Sequence, residues 1–185
     1  MDKKRKSNRL QGYDYSLPGA YFVTLVTQER RLLFGVQDGD NIILNKVGQI
    51  AKEELLITVK MRKELRLDQF IVMPNHLHAI LFKDQLGASQ DGLQSEVVEA
   101  HGRAPLHRKP RSLGAIVAAN KAASTRRIRE LKNDPELQVW QRNYYDHIVR
   151  DQNDLEKIRE YILYNPLKLS SGVFPKGKSH CCAGR

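Results

Sequence analysis

His76-Leu77-His78 sits inside a run of strand formers, and a strand turns that spacing into chemistry. Residues i and i+2 of a strand point the same way, so both imidazoles leave one face while Leu77 leaves the other. Two imidazoles roughly 6–7 Å apart at the backbone can converge on one cation. Far along the chain, Tyr161 and Asn165 stand at i and i+4 of a helical segment and so share a face. A phenol offers a nucleophilic oxygen, but with a pKa near 10 it needs help at neutral pH. Neither pattern is specific alone. Two satisfied histidines and a boundary tyrosine would give the same letters, and Tyr144, Tyr145 and Tyr164 are rival nucleophiles on spacing.

The elements that must position these groups follow from periodicity. Tyr21 to Thr27, β-branched and aromatic, reads as a first strand after the turn-rich Tyr13–Gly19. Asn45 is a candidate N-cap for a helix to about Glu64, with Val47, Ile50, Ala51, Leu55 and Val59 at helical spacing. Leu67 to Met73 and His76 to Phe82 read as two strands in a tight hairpin, with Pro74-Asn75 as the turn or bulge between them. A second helix spans Leu113 to Lys132. Leu137 to Trp140 reads as a short fourth strand, and Tyr144, Tyr145, Ile148 and Val149 follow in a segment given no element. Asp151 caps a last helix with Leu155, Ile158 and Ile162 as its stripe, ended by Pro166 near Asn165. The order β-α-β-β-α-β-α suits an α+β sandwich: an antiparallel sheet with helices on one face.

Between the third strand and the second helix, Lys83 to Ser112 holds glycines, prolines and no sustained period, and reads as a long loop or insertion. The organisation is a basic N-terminal arm over 1–12, a domain over 13–169 interrupted by 83–112, and a tail over 170–185. The tail's His180-Cys181-Cys182 reads as a frayed end rather than a metal tract.

Charge points to the partner. The 185 residues carry a net +10, with 41% hydrophobic and 28% charged residues, the balance of a soluble globular chain. Such an excess favours a polyanion, nucleic acid first. Candidate phosphate contacts are Lys4 and Arg5 in the arm, Arg111 at the basic end of the loop, Lys121, Arg126 and Arg127 on the second helix, and Arg142. No apolar run approaches the roughly 18–20 residues of a membrane span, so no membrane partner is expected. The charged start, Met1 to Arg9, has no apolar stretch behind it, which predicts no secretory leader. Cys181 and Cys182, the only cysteines, build no disulfide framework and fit a reducing cytoplasm. With a phosphate as substrate, the histidines and the phenol have a reason to meet. A divalent cation can polarise the scissile phosphate, and an amide oxygen from Asn165 with phosphate oxygens would complete a mixed shell.

Four blocks together carry a resemblance. They are Tyr13-Asp14-Tyr15-Ser16-Leu17-Pro18-Gly19-Ala20-Tyr21-Phe22-Val23-Thr24, Val72-Met73-Pro74-Asn75-His76-Leu77-His78, Val139-Trp140-Gln141-Arg142-Asn143-Tyr144-Tyr145-Asp146-His147-Ile148, and Tyr161-Ile162-Leu163-Tyr164-Asn165-Pro166-Leu167-Lys168. In this order, from about residue 9 to 169, they resemble the HUH-type single-strand tyrosine transposases of the IS200-like superfamily, closest to the REP-associated branch. The resemblance implies a ferredoxin-like sandwich with the histidines on a central strand and a C-terminal catalytic helix. It implies that His76 and His78 bind Mg²⁺ or Mn²⁺ with Asn165 as third protein ligand, and that Tyr161 is the nucleophile. The implied reaction is cleavage of single-stranded DNA near a hairpin, leaving a 5′-phosphotyrosine and a free 3′-hydroxyl, with rejoining to another strand. It further implies a cytoplasmic protein, nucleoid-associated on DNA, either dimeric or monomeric. Two features depart from the pattern: the 83–112 stretch is longer than in the smallest members, and Leu169 stands where such members often carry Trp. Two other functions fit the residues: a domesticated DNA-binding protein without catalysis, and a metal-dependent nuclease using water in place of tyrosine.

Overall fold

β-branched, aromatic and other apolar residues along Tyr21–Leu25 and Leu77–Leu81 build two long strands that pair antiparallel along their whole length. In the computed structural model, which describes residue 10 and residues 12–85 and 111–166, these are β1 (Gly19–Val26) and β5 (His76–Lys83). The arm residues Lys4 and Arg5, most of the 83–112 stretch and the 170–185 tail lie outside the described residues.

β4 (Leu65–Met73) flanks β5, and β6 (Tyr145–Val149) flanks β1, giving one antiparallel sheet in the order β4-β5-β1-β6. Counted along the chain, these strands lie second, third, first, fourth, with α1 (Lys46–Lys60) after the first and α2 (Leu113–Lys132) after the third. This is the ferredoxin-like topology that the family resemblance implies. The β4–β5 hairpin turns on Pro74-Asn75, with Met73 opposite His76.

The helices start where the capping residues lie. Asn45 Oδ1 accepts from the Val47 and Gly48 amides at 2.9 and 3.0 Å, and Asp151 Oδ1 accepts from Asp154 at 2.8 Å to open α3 (Gln152–Leu163). Gly48 is required by close approach: a Cβ there would sit 2.1 Å from the Phe34 carbonyl oxygen.

The two faces of the sheet are covered separately. Tyr21, Val23, Leu25, Leu77, Ala79 and Leu81 meet α1 and α2 in the main core. On the opposite face, Ile80 packs with Leu155, Ile158 and Ile162 of α3, flanked by Phe22, Ile71, Phe82 and Val149. Helices therefore share one face only for α1 and α2, and the last helix covers the other.

Two expectations need correcting. Leu137 to Trp140 is not a strand of the sheet: Trp140 makes only an isolated bridge to Thr27. Val139 and Trp140 are apolar because they are buried, the Trp140 indole donating to Ser124 Oγ at 2.9 Å. The fourth sheet strand is β6, which had been given no element. A small hairpin, β2 (Gly35–Asp38) and β3 (Asn41–Leu44), was also unforeseen.

Candidate active site

Strand geometry delivers the histidines as a pair. His76 and His78 leave β5 on the α3 face, their ring centroids 4.5 Å apart and their planes at 74°. Each ring has one nitrogen engaged. The His76 Nδ1–H donates to Asn75 Oδ1 at 2.6 Å, since an amide oxygen only accepts. His78 Nδ1 shares a hydrogen bond of 2.8 Å with Thr24 Oγ1 on the facing strand. His78 Nε2 is buried and has no hydrogen-bond partner among the described residues. A bare, buried ring nitrogen beside a second imidazole is a ligand position awaiting an acceptor of its lone pair.

Electrostatics keep both rings neutral. Burial, with the nearby Arg30 charge, lowers the His76 pKa to about 4. Burial, with His76 as neighbour, holds His78 well below the ordinary histidine value. Neutral imidazole is the form that binds metal.

Tyr161 of α3 stands over this pair. Its ring meets His78 edge-on at 5.3 Å between centroids, and Phe22, stacked on His78 at 5.2 Å, completes the cluster. Burial raises the Tyr161 pKa, and a hydrogen bond with Asn165 works against that rise. Asn165 is buried just beyond the helix end.

Three polar tethers hold α3 in place. His147 and Asp154 pair at 2.7 Å near its start, and Gln37 Nε2 donates to the Pro166 carbonyl at 2.8 Å beyond its end. Between them, Arg159 grips Asp68 with two bonds of 2.7 Å. Asp68 lies in a bulge of β4 between Leu67 and Phe70, where the register to β5 slips by one residue. Thr24, Asp68 and Arg159 were not foreseen. Thr24 is visible only once the β1–β5 register is known, and the bulge leaves no signature in composition.

The structure thus brings His76, His78, Tyr161 and Asn165 together. Of the rival tyrosines, Tyr144 is buried in the opposite core, while Tyr164 and Tyr145 are exposed. Among the described residues, no group of three or more His, Cys, Asp or Glu could hold a metal. The available donor set is two imidazoles and one amide, which fits a weak cation site that substrate oxygens must complete.

The basic candidates divide. Arg127 is engaged with Glu53 at 2.7 Å and Glu54 at 2.8 Å, tying α2 to α1. The Lys121 ammonium donates to the Gln141 and Asn143 carbonyls, both at 2.8 Å. Arg111, Arg126 and Arg142 are exposed. Arg126 and Arg142 line an open cleft of about 1450 Å³ between α2 and the segment leading into β6. No helix among the described residues is long and apolar enough to cross a membrane.

Comparison with known proteins adds an independent line. No family profile matches the chain. A Haemophilus influenzae protein of uncharacterised function is 34% identical over 165 residues, covering 88% of each chain. A putative REP-associated tyrosine transposase from the same organism is 26% identical over 156 residues, 84% of this chain and 74% of that one. Among solved structures, a REP-associated tyrosine transposase bound to a REP hairpin superposes with a TM-score of 0.56 at 16% identity, over 91% of this chain and 74% of that one. At that identity the likeness is one of fold.

Proposed function

We propose that this chain is a member of the IS200-like transposase family, and that it cuts single-stranded DNA beside a hairpin and transfers the cut strand through Tyr161. The observation that carries the reading is convergence: Tyr161 follows His78 by 83 residues in the chain, yet the rings lie 5.3 Å apart. A hairpin is the proposed partner because the structural relative is bound to one.

The chain's own groups divide the work. The Tyr161 oxygen attacks the phosphorus, the bond to the 3′-oxygen breaks, and that oxygen leaves as a hydroxyl. The proton it takes up balances the one lost by the phenol. The 5′-phosphotyrosine diester conserves the bond, so another 3′-hydroxyl can displace the tyrosine without external energy. Burial keeps the resting phenol protonated, and the Asn165 hydrogen bond favours the charged form as the proton departs. His76, His78 and Asn165 would hold a Mg²⁺ or Mn²⁺ ion, which when bound polarises the phosphate. Thr24 and Asn75 engage Nδ1 of the two rings, which leaves Nε2 of each as the nitrogen that would face a cation.

The test is a denaturing gel of wild type and Tyr161→Phe incubated with Mn²⁺ and labelled hairpin DNA. The expected result is a slow covalent band from wild type alone. A band surviving in the variant would transfer the role to Tyr145 or Tyr164. Cleavage without a covalent band would indicate water as nucleophile, and binding without either would leave a DNA-binding protein.

A further inference from the structure

The strand-transfer reading through Tyr161 leaves Tyr145 unused, yet the sheet sets it in line with the site. Thr24 pairs with His78 across β1–β5 and with Tyr145 across β1–β6. Directly paired residues share a face, so His78, Thr24 and Tyr145 form one row across three strands on the α3 side. Neighbours on β6 confirm the alternation: His147 reaches Asp154 of α3, while Tyr144 and Ile148 pack in the opposite core. Two strand spacings separate His78 and Tyr145 by roughly 10 Å at the backbone.

The ring is not a packing residue. Tyr145 is 46% exposed on an edge strand, in contrast to Tyr144 beside it at 8%. It also lines the open cleft on the α2 side, where Arg126 and Arg142 are exposed. Neither arginine makes an ion pair with the described residues. Acids line that cleft too, Glu29, Glu130 and Asp134, so charge alone does not define the occupant. An exposed aromatic residue between a row of metal-type ligands and two exposed guanidinium groups does: it matches a nucleic-acid strand with unstacked bases.

We propose that Tyr145 is a base-stacking platform, which seats a nucleotide of the single strand flanking the scissile phosphate and directs that strand into the Arg126–Arg142 cleft. The inference rests on the strand-transfer reading and names how that site registers its substrate. A stacked strand advances roughly 3.4 Å per nucleotide, so the seated base lies within about three nucleotides of the phosphate at the histidines. Stacking is sequence-tolerant, because every base has a π face. Tyr145 therefore sets which phosphate is presented, not which base is read.

The experiment is fluorescence anisotropy of Tyr161→Phe protein, which cannot form the covalent link, with hairpin oligonucleotides carrying single-stranded oligo(dT) arms. One abasic site is moved along the arms. Tyr145→Ala added to this background should weaken binding about tenfold, and Tyr145→Trp should retain it. At one abasic position the alanine and tyrosine proteins should bind equally, because the base that stacks is gone. Unchanged affinity in Tyr145→Ala, or a loss independent of the abasic position, would overturn the proposal. Circular dichroism melts check that the variants fold, and Tyr145→Trp reports through binding even if alanine does not. Wild-type covalent adduct on the same oligonucleotides is scored separately: its absence counts against strand transfer, while the abasic scan still decides whether a base rests on Tyr145.

Discussion

The two faces of the sheet are built on different terms, although they share every backbone hydrogen bond. One face is a continuous apolar core under α1 and α2. The other has a small apolar cluster under α3, and toward the β4–β5 turn it gives way to His76, His78 and Thr24. Leu77 and His78 are adjacent, both buried, and face opposite ways. The larger apolar core lies on one side of β5, and the residues of the proposed chemistry on the other. A buried ring nitrogen without a partner costs free energy that the apolar face can offset.

The sharpest way to break this comparison is to alter those two neighbours. Leu77→Ala should lower unfolding free energy by about 2–5 kcal/mol. His78→Ala should leave it within about 1 kcal/mol while reducing covalent adduct formation more than about a hundredfold. Urea melts alongside adduct gels decide it, and equal stability losses would refute the division. Next in size, Thr24→Val should leave the fold intact but weaken Mn²⁺ binding by about 10–100-fold, because His78 loses the partner that orients it. Calorimetric titration measures this directly, and unchanged affinity would mean that the ring is held by packing alone.

A smaller effect is expected at the α3 tether. Arg159→Lys keeps the charge but loses the two-bond grip on Asp68, and should cost about 1 kcal/mol in stability. Because the grip aims Tyr161, turnover should fall more than DNA affinity does. A loss confined to affinity would assign Arg159 to substrate binding.

The gentlest probe is pH without metal. The folded pKa of His76, about 4, lies below its ordinary value, and His78 is shifted the same way. The unfolded chain therefore takes up protons first, and stability should fall as pH drops from about 6.5 toward 4. Replacing His78 with alanine should flatten that slope in urea melts, and an unaltered slope would trace the acid sensitivity elsewhere.

Much of this was legible in the sequence, for identifiable reasons. Runs of strand-forming residues marked β1, β4 and β5, and Asn45 and Asp151 marked helix starts, because these signals are local. The His76–His78 face and the Tyr161–Asn165 face followed from the same periods. What could not be read is what register decides. Thr24 becomes a partner of His78 only when β1 and β5 pair, 54 residues apart. The β2–β3 hairpin was missed because its strands are four residues long and largely exposed, although Gly39-Asp40 is a recognisable turn. Val139 and Trp140 misled because burial, not pairing, explains their apolar character.

The distance in sequence between His78 and Tyr161 has a consequence during synthesis. A ribosome adds roughly 5–20 residues per second, so about 4–17 s separate the emergence of the histidines from that of the proposed nucleophile. A nascent chain at that stage would display the imidazole pair without Tyr161. The order of elements thus delays the proposed strand cleavage until the helix that carries Tyr161 has emerged.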